Sequence, residues 1–333
     1  MKEKLFSRRD FLRNSAVLGV GAAVLPGIVM GGHELVVNDS PEVSTREVST
    51  PEPIIDIHQH VHYAARPDDV LVMHQRAMGI THTILLPAGT PAFGTSTHQG
   101  KTNGLQAQCA GNEACYGIAQ KYPGEFTFGS NEVPDLPDAV QEIEKYLKLG
   151  GRLIGELKFG VDCDSKEMQR IYKLAEEHNV PVLMHWQFQM FNYNFERFPK
   201  MLEKYPKVNF IGHAQTWWAN IDKNHSDQSI LYPKTKVIRG GLTDRLLSDY
   251  PNMFGDMSAG SGLLSMTRDE DHAREFLTRH QDKLLYGSDC DDHIGSGAKC
   301  QGSQTIAEIR KLAASKQVER KILYDNAKKL FKI

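Results

Sequence analysis

Two histidines separated by one residue close the apolar run Ile54-Ile55-Asp56-Ile57-His58-Gln59-His60. Side chains of a strand alternate faces, so His58 and His60 point the same way and Gln59 the other. Two imidazoles converging from one strand end make half of a site for a divalent metal. The plain alternative is a strand that merely ends in polar residues, so the reading turns on further ligands downstream. Residues 180–184 run into His185, 208–212 into His213, and 284–288 into Asp289. Leu153-Ile154-Gly155-Glu156-Leu157-Lys158 adds a carboxylate and an amine at i, i+2, sharing one face. One histidine after an apolar strand is commonly a hydrogen-bonded structural residue. Histidine or aspartate at four separate strand ends is much harder to reach by chance.

The elements that must position these groups follow a regular alternation. Short β-type runs fall at 54–58, 81–86, 125–130, 153–158, 181–185, 208–213, 252–257 and 283–287. Helical patterns lie between them at 67–78, 106–121, 136–149, 166–178, 194–204, 235–248 and 269–280, followed by 303–313 and 317–331. Eight strands alternating with helices predict a (β/α)8 TIM barrel over residues 53–333. A doubly wound open sheet is the alternative, but no GxGxxG follows the first strand. In a barrel, active groups sit at the C-terminal ends of strands. The histidines and acids fall there.

Composition adds bounds. The 333 residues are 40% hydrophobic and 24% charged, with a formal net charge of −2, as in ordinary globular proteins. No basic cluster points to nucleic acid. Ser7-Arg8-Arg9-Asp10-Phe11-Leu12 before the Ala/Gly/Val-rich run 16–30 has the layout of a signal segment, and its paired arginines resemble a twin-arginine export signal. Residues 1–30 are therefore expected to engage export machinery and deliver the protein to the periplasm, with 31–52 as a linker. An amphipathic N-terminal helix or membrane anchor is the alternative. Five cysteines include no CxxC pair, so a zinc knuckle is not expected. Cys109–Cys115 and Cys290–Cys300 are the short-loop disulfide candidates, with free buried thiols as the alternative.

The ordered set HxH, His185, His213 and Tyr286-Gly287-Ser288-Asp289 resembles the amidohydrolase superfamily. The resemblance is to its amidohydrolase-related branch, which includes aminocarboxymuconate semialdehyde decarboxylase. The closing Ile322-Leu323-Tyr324-Asp325-Asn326-Ala327-Lys328-Lys329-Leu330-Phe331 resembles that branch's C-terminal helix. The resemblance implies one divalent ion, usually Zn2+, held by His58, His60, His185 and Asp289, with His213 and Asp289 handling protons. In binuclear relatives a strand-four lysine or glutamate bridges two metals, so Glu156 as a ligand to a second ion is the alternative. Lys158 is read as binding a substrate carboxylate or lining the site, with an ion pair to a nearby acid as the alternative.

Trp217 and Trp218 either wall an aromatic substrate or pack their loop down. Asp256 or Ser258 is expected to hydrogen-bond within the rim, and His62 to support the metal site. Residues 87–103 are the lid candidate. His74, His178, His272 and His280 are expected at the surface. The leading function is hydrolysis of an ester, lactone or amide-type bond of a small molecule. The alternatives are non-oxidative decarboxylation of an aromatic or unsaturated acid, and a non-catalytic metal-binding protein on the same scaffold.

Overall fold

A computed structural model describes residues 52–89 and 109–333. The expected signal segment, nearly all of the linker and most of the expected lid lie outside them. The eight strands form where the alternation placed them, β1 shifted by one residue and the other seven shorter: β1 Ile55–Gln59, β2 His82–Leu85, β3 Phe126–Phe128, β4 Ile154–Leu157, β5 Val182–His185, β6 Phe210–His213, β7 Met253–Asp256 and β8 Leu284–Leu285. All pairings are parallel, in the orders β1-β2-β3 and β4-β5-β6-β7-β8. A parallel bridge between Ser130 and Ile154 joins the two sheets. On the other side the Ile57 amide donates to the Tyr286 carbonyl at 3.1 Å, and the Asp289 amide donates to the His58 carbonyl at 2.8 Å. The sheet closes into a (β/α)8 barrel, as expected.

Closure has a side-chain clasp. Asp56, buried on β1, accepts from the Ser288 amide at 2.8 Å, the Ser288 hydroxyl at 2.5 Å and the His58 amide at 3.0 Å. Three donors satisfy a carboxylate that would otherwise be costly to bury. An apolar plug from many strands (Ile57, Ile84, Leu153, Leu183, Ile211 and Leu285) packs with Ala327 and Phe331 of the C-terminal helix. Leu183 and His185 share one strand face, as do Ile211 and His213, so the histidines stand above this dry plug.

The helices are α1 Asp68–Ala77, α2 Asn112–Lys121, α3 Ala139–Lys148, α4 Lys166–His178, α5 Pro199–Lys204, α6 Gln215–Ala219, α7 Leu242–Asp249, α8 Ala259–Thr267, α9 Glu270–Arg279, α10 Gln301–Leu312, α11 Lys316–Arg320 and α12 Asn326–Phe331. Two of them, α6 and α8, were not anticipated. Only five residues long, α6 carries two buried tryptophans and so shows no amphipathic period. The sequence of α8, Ala-Gly-Ser-Gly-Leu-Leu-Ser-Met-Thr, reads as a loop by propensity. It forms because Gly262 lets the helix lie against the Met257 backbone, where a Cβ would clash. The pattern at 194–204 splits into a 3-10 turn, Phe195–Arg197, and α5 with Pro199 at its first turn. The pattern at 235–248 becomes helical only at Leu242, after Gly240 takes a φ of +99°.

Of the four helical histidines expected at the surface, three are buried. His74 faces the loop after β8, His272 lies within its helix packing, and His280 Nε2 pairs with Asp244 at 2.7 Å. Half-buried His178 approaches Glu144 at 3.4 Å. Polar residues on the inward faces of barrel helices are legible as buried only once the helix axis is known.

Trp217 is also placed differently from the substrate-wall reading. It is fully buried, stacks on Trp186 at 5.7 Å and covers Gly212, whose missing side chain leaves room for the indole. Gly212 precedes His213, so this packing fixes the β6 end against α6. We predict that Gly212→Ala forces the indole out of place and destabilises the fold by about 1–3 kcal/mol. Calorimetry should show a thermal midpoint lower by several degrees; an unchanged midpoint would disprove this packing.

Candidate metal centre

The pairing register of β1 shifts between Asp56 and Gln59, and this turns the HxH onto the barrel mouth. Gln59 points the other way. Its amide donates to Ser288 Oγ at 3.0 Å and to the Cys290 carbonyl at 3.1 Å, and its oxygen accepts from Arg66 at 2.7 Å. The two imidazoles face inward with their Nε2 atoms 3.1 Å apart. Both Nδ1 positions are occupied on the far side. His58 Nδ1–H donates to Asp256 Oδ2 at 2.6 Å, and His60 Nδ1–H donates to the Leu86 carbonyl at 2.8 Å. In neutral rings this leaves two bare Nε2 lone pairs aimed at each other. Such an arrangement repels itself unless a cation lies between.

Two carboxylates complete the set. Glu156 Oε2 stands 3.6 Å from His58 Nε2 and 3.5 Å from His60 Nε2. Asp289 Oδ1 stands 3.8 Å and 3.5 Å from the same atoms. A tetrahedral ion with bonds of about 2.0–2.1 Å sets its donor atoms about 3.3 Å apart. The observed spacings bracket that edge, so these imidazoles and carboxylates suit a divalent ion in spacing and charge.

The other expected residues flank this set. His185 and His213 are register partners on β5 and β6. His185 Nδ1–H donates to Glu156 Oε1 at 2.5 Å, and its Nε2 lies 3.3 Å from Gln187 Oε1. His213 Nε2 lies 3.5 Å from both Glu156 Oε1 and Asp289 Oδ2. Ser258 and Asp256 are found where the sequence expected support. The Ser258 hydroxyl donates to Asp256 Oδ2 at 2.9 Å, and its oxygen lies 3.0 Å from His213 Nδ1. Asp256 thus holds the β1 and β6 rings together. Lys158 is half-buried at the rim with its Nζ 5.5 Å over the Phe191 ring. His62 does not continue the face: it is exposed and pairs with Asp68 at 3.1 Å. All described cysteines are free thiols, so neither short-loop pair is bonded here.

The charges respond to one another. Burial alone would lower His58, but the charges on Asp289 and Asp256 outweigh it and raise it from 6.5 to about 10. Burial is likewise overcome at His60, which is raised well above 6.5 by Cys109, Asp289 and Glu156. Asp289 is pulled up by burial, yet the charge on His58 and hydrogen bonds from His213 and His60 hold it well below the usual carboxylate range. Glu156 is held low in the same way, with His185 as the main counterweight to burial. His185 itself is lowered to about 4 by burial and the Lys158 charge. The charges that raise these two imidazoles would equally attract a cation.

Several residues here were missed in the sequence. Buried Arg66 donates to the carbonyls of Cys290 and Asp292 at 2.8 and 2.9 Å, pinning the loop that follows Asp289. Asn131 and Asn192 clamp the backbone at the ends of β4 and β5: Asn131 donates to the Glu156 carbonyl at 2.7 Å, and Asn192 to those of Leu157 and His185 at 2.6 Å. Tyr63 meets His60 edge-on at 5.1 Å, and its hydroxyl is pushed up by the Asp289 charge and by burial. The only available signal was position just past a strand end, which many loop residues share. A cavity of about 630 Å3 lies beyond the β5 end, lined by Trp186, Gln187, Phe188, Phe191 and Asn192. Two of its lining residues, Phe191 and Gln187, contact the His185 ring.

A barrel whose C-terminal rim gathers imidazoles and carboxylates defines a metal-dependent TIM-barrel enzyme. A family model described as amidohydrolase matches residues 55–333, and the chain belongs to that family. The barrel is similar to a probable 2-pyrone-4,6-dicarboxylic acid hydrolase from Acinetobacter baumannii (16% identity, 84% of this chain and 99% of that one, TM-score 0.54). It is similar to 2,6-dihydroxybenzoate decarboxylase from Rhizobium (13%, 84% and 99%, 0.53). A 5-carboxyvanillate decarboxylase from Novosphingobium aromaticivorans with bound manganese also matches (17%, 79% and 80%, 0.51). At these identities the likeness is one of fold. Comparison with curated sequences gave no match. The protein is an enzyme, of hydrolase or carboxy-lyase type.

Two predictions follow from the donor set. Asp256→Asn weakens the hold on His58 and should lower metal affinity about 10–100-fold, measured by competition with a chromophoric chelator; unchanged affinity would remove Asp256 from this role. The second concerns pH. The raised His58 favours folding of the metal-free protein fully below pH 6.5, and that contribution is lost as pH rises through about 10. A bound ion replaces the proton. The gap in thermal midpoint between metal-loaded and metal-free protein should therefore widen from pH 6.5 to 10, and a constant gap would contradict the assignment.

Proposed function

We propose that this enzyme is a zinc-dependent hydrolase of an ester, lactone or amide-type bond in a small, carboxylate-bearing molecule. The observation that carries the metal reading is the four-donor set of His58, His60, Glu156 and Asp289, with spacings of 3.1–3.8 Å. When bound, the ion supplies a water whose pKa falls from about 15.7 to roughly 7 and a Lewis acid for the scissile carbonyl. The chain's residues do the rest. Ser258 and Asp256 engage His213 on its Nδ1 side, which leaves Nε2 facing the reacting centre as proton acceptor and then donor. Asp289, held ionised, balances the imidazolium that His213 becomes. Lys158, half-buried beside Phe191, anchors the substrate carboxylate at the rim. His185 positions Glu156.

A two-ion reading is favoured by one observation. The Glu156 oxygens are divided, Oε2 toward the HxH and Oε1 toward His185 and His213. Decarboxylation of an aromatic acid is the competing reaction, drawing on the same donors and on Lys158. The Arg8-Arg9 motif also supports export to the periplasm by the twin-arginine route. A reporter fused to residues 1–40 should lose export when both arginines become lysine.

We expect the HxH set to hold one zinc, read by elemental analysis as the zinc per chain lost in His58→Ala/His60→Ala; a loss of two would install the bridging role of Glu156. His213→Asn should reduce kcat by about 10²–10⁴-fold at wild-type metal content. Equal loss of metal would make His213 a ligand. A paired panel of lactones, esters and aromatic acids separates the reactions: CO2 release without incorporation of solvent oxygen would overturn hydrolysis.

A further inference from the structure

A second cluster of metal-binding side chains lies behind the rim, where the loop after β8 folds back on α1. Cys290 Sγ and Cys300 Sγ are 3.9 Å apart, and Cys300 Sγ is 3.5 Å from His74 Nε2. All three residues are fully buried, and their donor atoms lie within 4.8 Å of one another. A disulfide requires sulfurs about 2.05 Å apart. A tetrahedral zinc with Zn–S of about 2.3 Å and Zn–N of about 2.0–2.1 Å sets S···S near 3.8 Å and S···N near 3.6 Å. Both spacings match the ion and not the disulfide.

The surroundings are built for the same geometry. Asp292 Oδ2 lies 3.9 Å from His74 Nε2 and is fixed by the backbone amides of Ile294 and Gly295 at 2.9 and 2.8 Å. Gly295, with φ of +81°, brings the loop onto α1 so closely that a Cβ would meet the His74 carbonyl at 2.6 Å. On the other side Arg66 holds the Cys290 carbonyl. A buried thiol usually packs as a small hydrophobe. Here two thiols face an imidazole edge, a group that is costly to bury without a partner. Met78 Sδ, 3.6 Å from Cys300 Sγ, closes the apolar side.

We propose that His74, Cys290 and Cys300 form a structural site for zinc or a similarly thiophilic divalent ion. The site ties the loop that begins at Asp289 to α1. It is independent of the HxH donor set, sharing no ligand with it.

The test uses purified full-length protein reconstituted with Co2+, whose bonds to thiolate give an intense near-ultraviolet charge-transfer absorption. The band should appear in wild type, persist in His58→Ala/His60→Ala and in Cys109→Ser, and vanish in Cys290→Ser/Cys300→Ser. Zinc content should fall by one per chain in the last variant. No band from folded wild-type protein would overturn the site, as would a band that depends on Cys109. A wild-type mass two hydrogens short, with Cys290 and Cys300 in one cross-linked peptide, would replace the ion with a disulfide. If the double variant does not fold, the wild-type spectrum and His74→Ala decide the matter.

Discussion

The structure depends on one electrostatic constraint: two imidazole nitrogens are held 3.1 Å apart with their lone pairs opposed. The holding groups are neither mobile nor solvated. One is the Asp256 carboxylate, fully buried, and the other is a backbone carbonyl at the end of β2. Because Nδ1 donates on both rings, rotating either ring away would break a buried hydrogen bond, at a cost of about 1–3 kcal/mol. The repulsion is therefore relieved by what occupies the gap, a proton or a metal ion. Glu156 and Asp289 add negative charge on the open side and tilt that choice toward a divalent cation.

Barrel closure gives this arrangement its rigidity. His58 sits where β1 meets β8, and the same seam carries the Asp56–Ser288 clasp and the amide bond from Asp289 to the His58 carbonyl. Asp289 reaches the site through a left-handed backbone, φ 43°, uncommon for a residue with a side chain. Its carboxylate is thus aimed by the turn, and the turn is fixed by Arg66 and by the loop's seat on α1. A ligand on a free loop would lose conformational entropy on each binding event. Here that ordering would already be in place for an ion.

The barrel was legible because alternation and strand length repeat eight times, and an error at one strand does not alter the pattern. The HxH, His213 and Asp289 were legible for the same reason, each closing a strand. What lay beyond reach was relative depth. Glu156 and His185 both end strands, yet only the three-dimensional rim shows that Glu156 stands between His185 and the HxH. Trp217 looked available in a loop because nothing in the sequence announces that Gly212 makes a slot for it. Arg66 and His74 belong to segments whose local pattern is exposed, and they are buried only because the β8 loop folds over them.

The pairing of His185 with Glu156 sets how much charge Glu156 could offer an ion. His185 is kept neutral by burial and by the Lys158 charge, so it gives Glu156 a hydrogen bond and no full positive charge. Glu156 therefore retains most of its negative charge for an ion at Oε2. A substrate carboxylate beside Lys158 would cancel part of the lysine's field and make protonation of His185 easier. An imidazolium there would draw charge from Glu156 and leave the ion more electrophilic at the moment the substrate is seated.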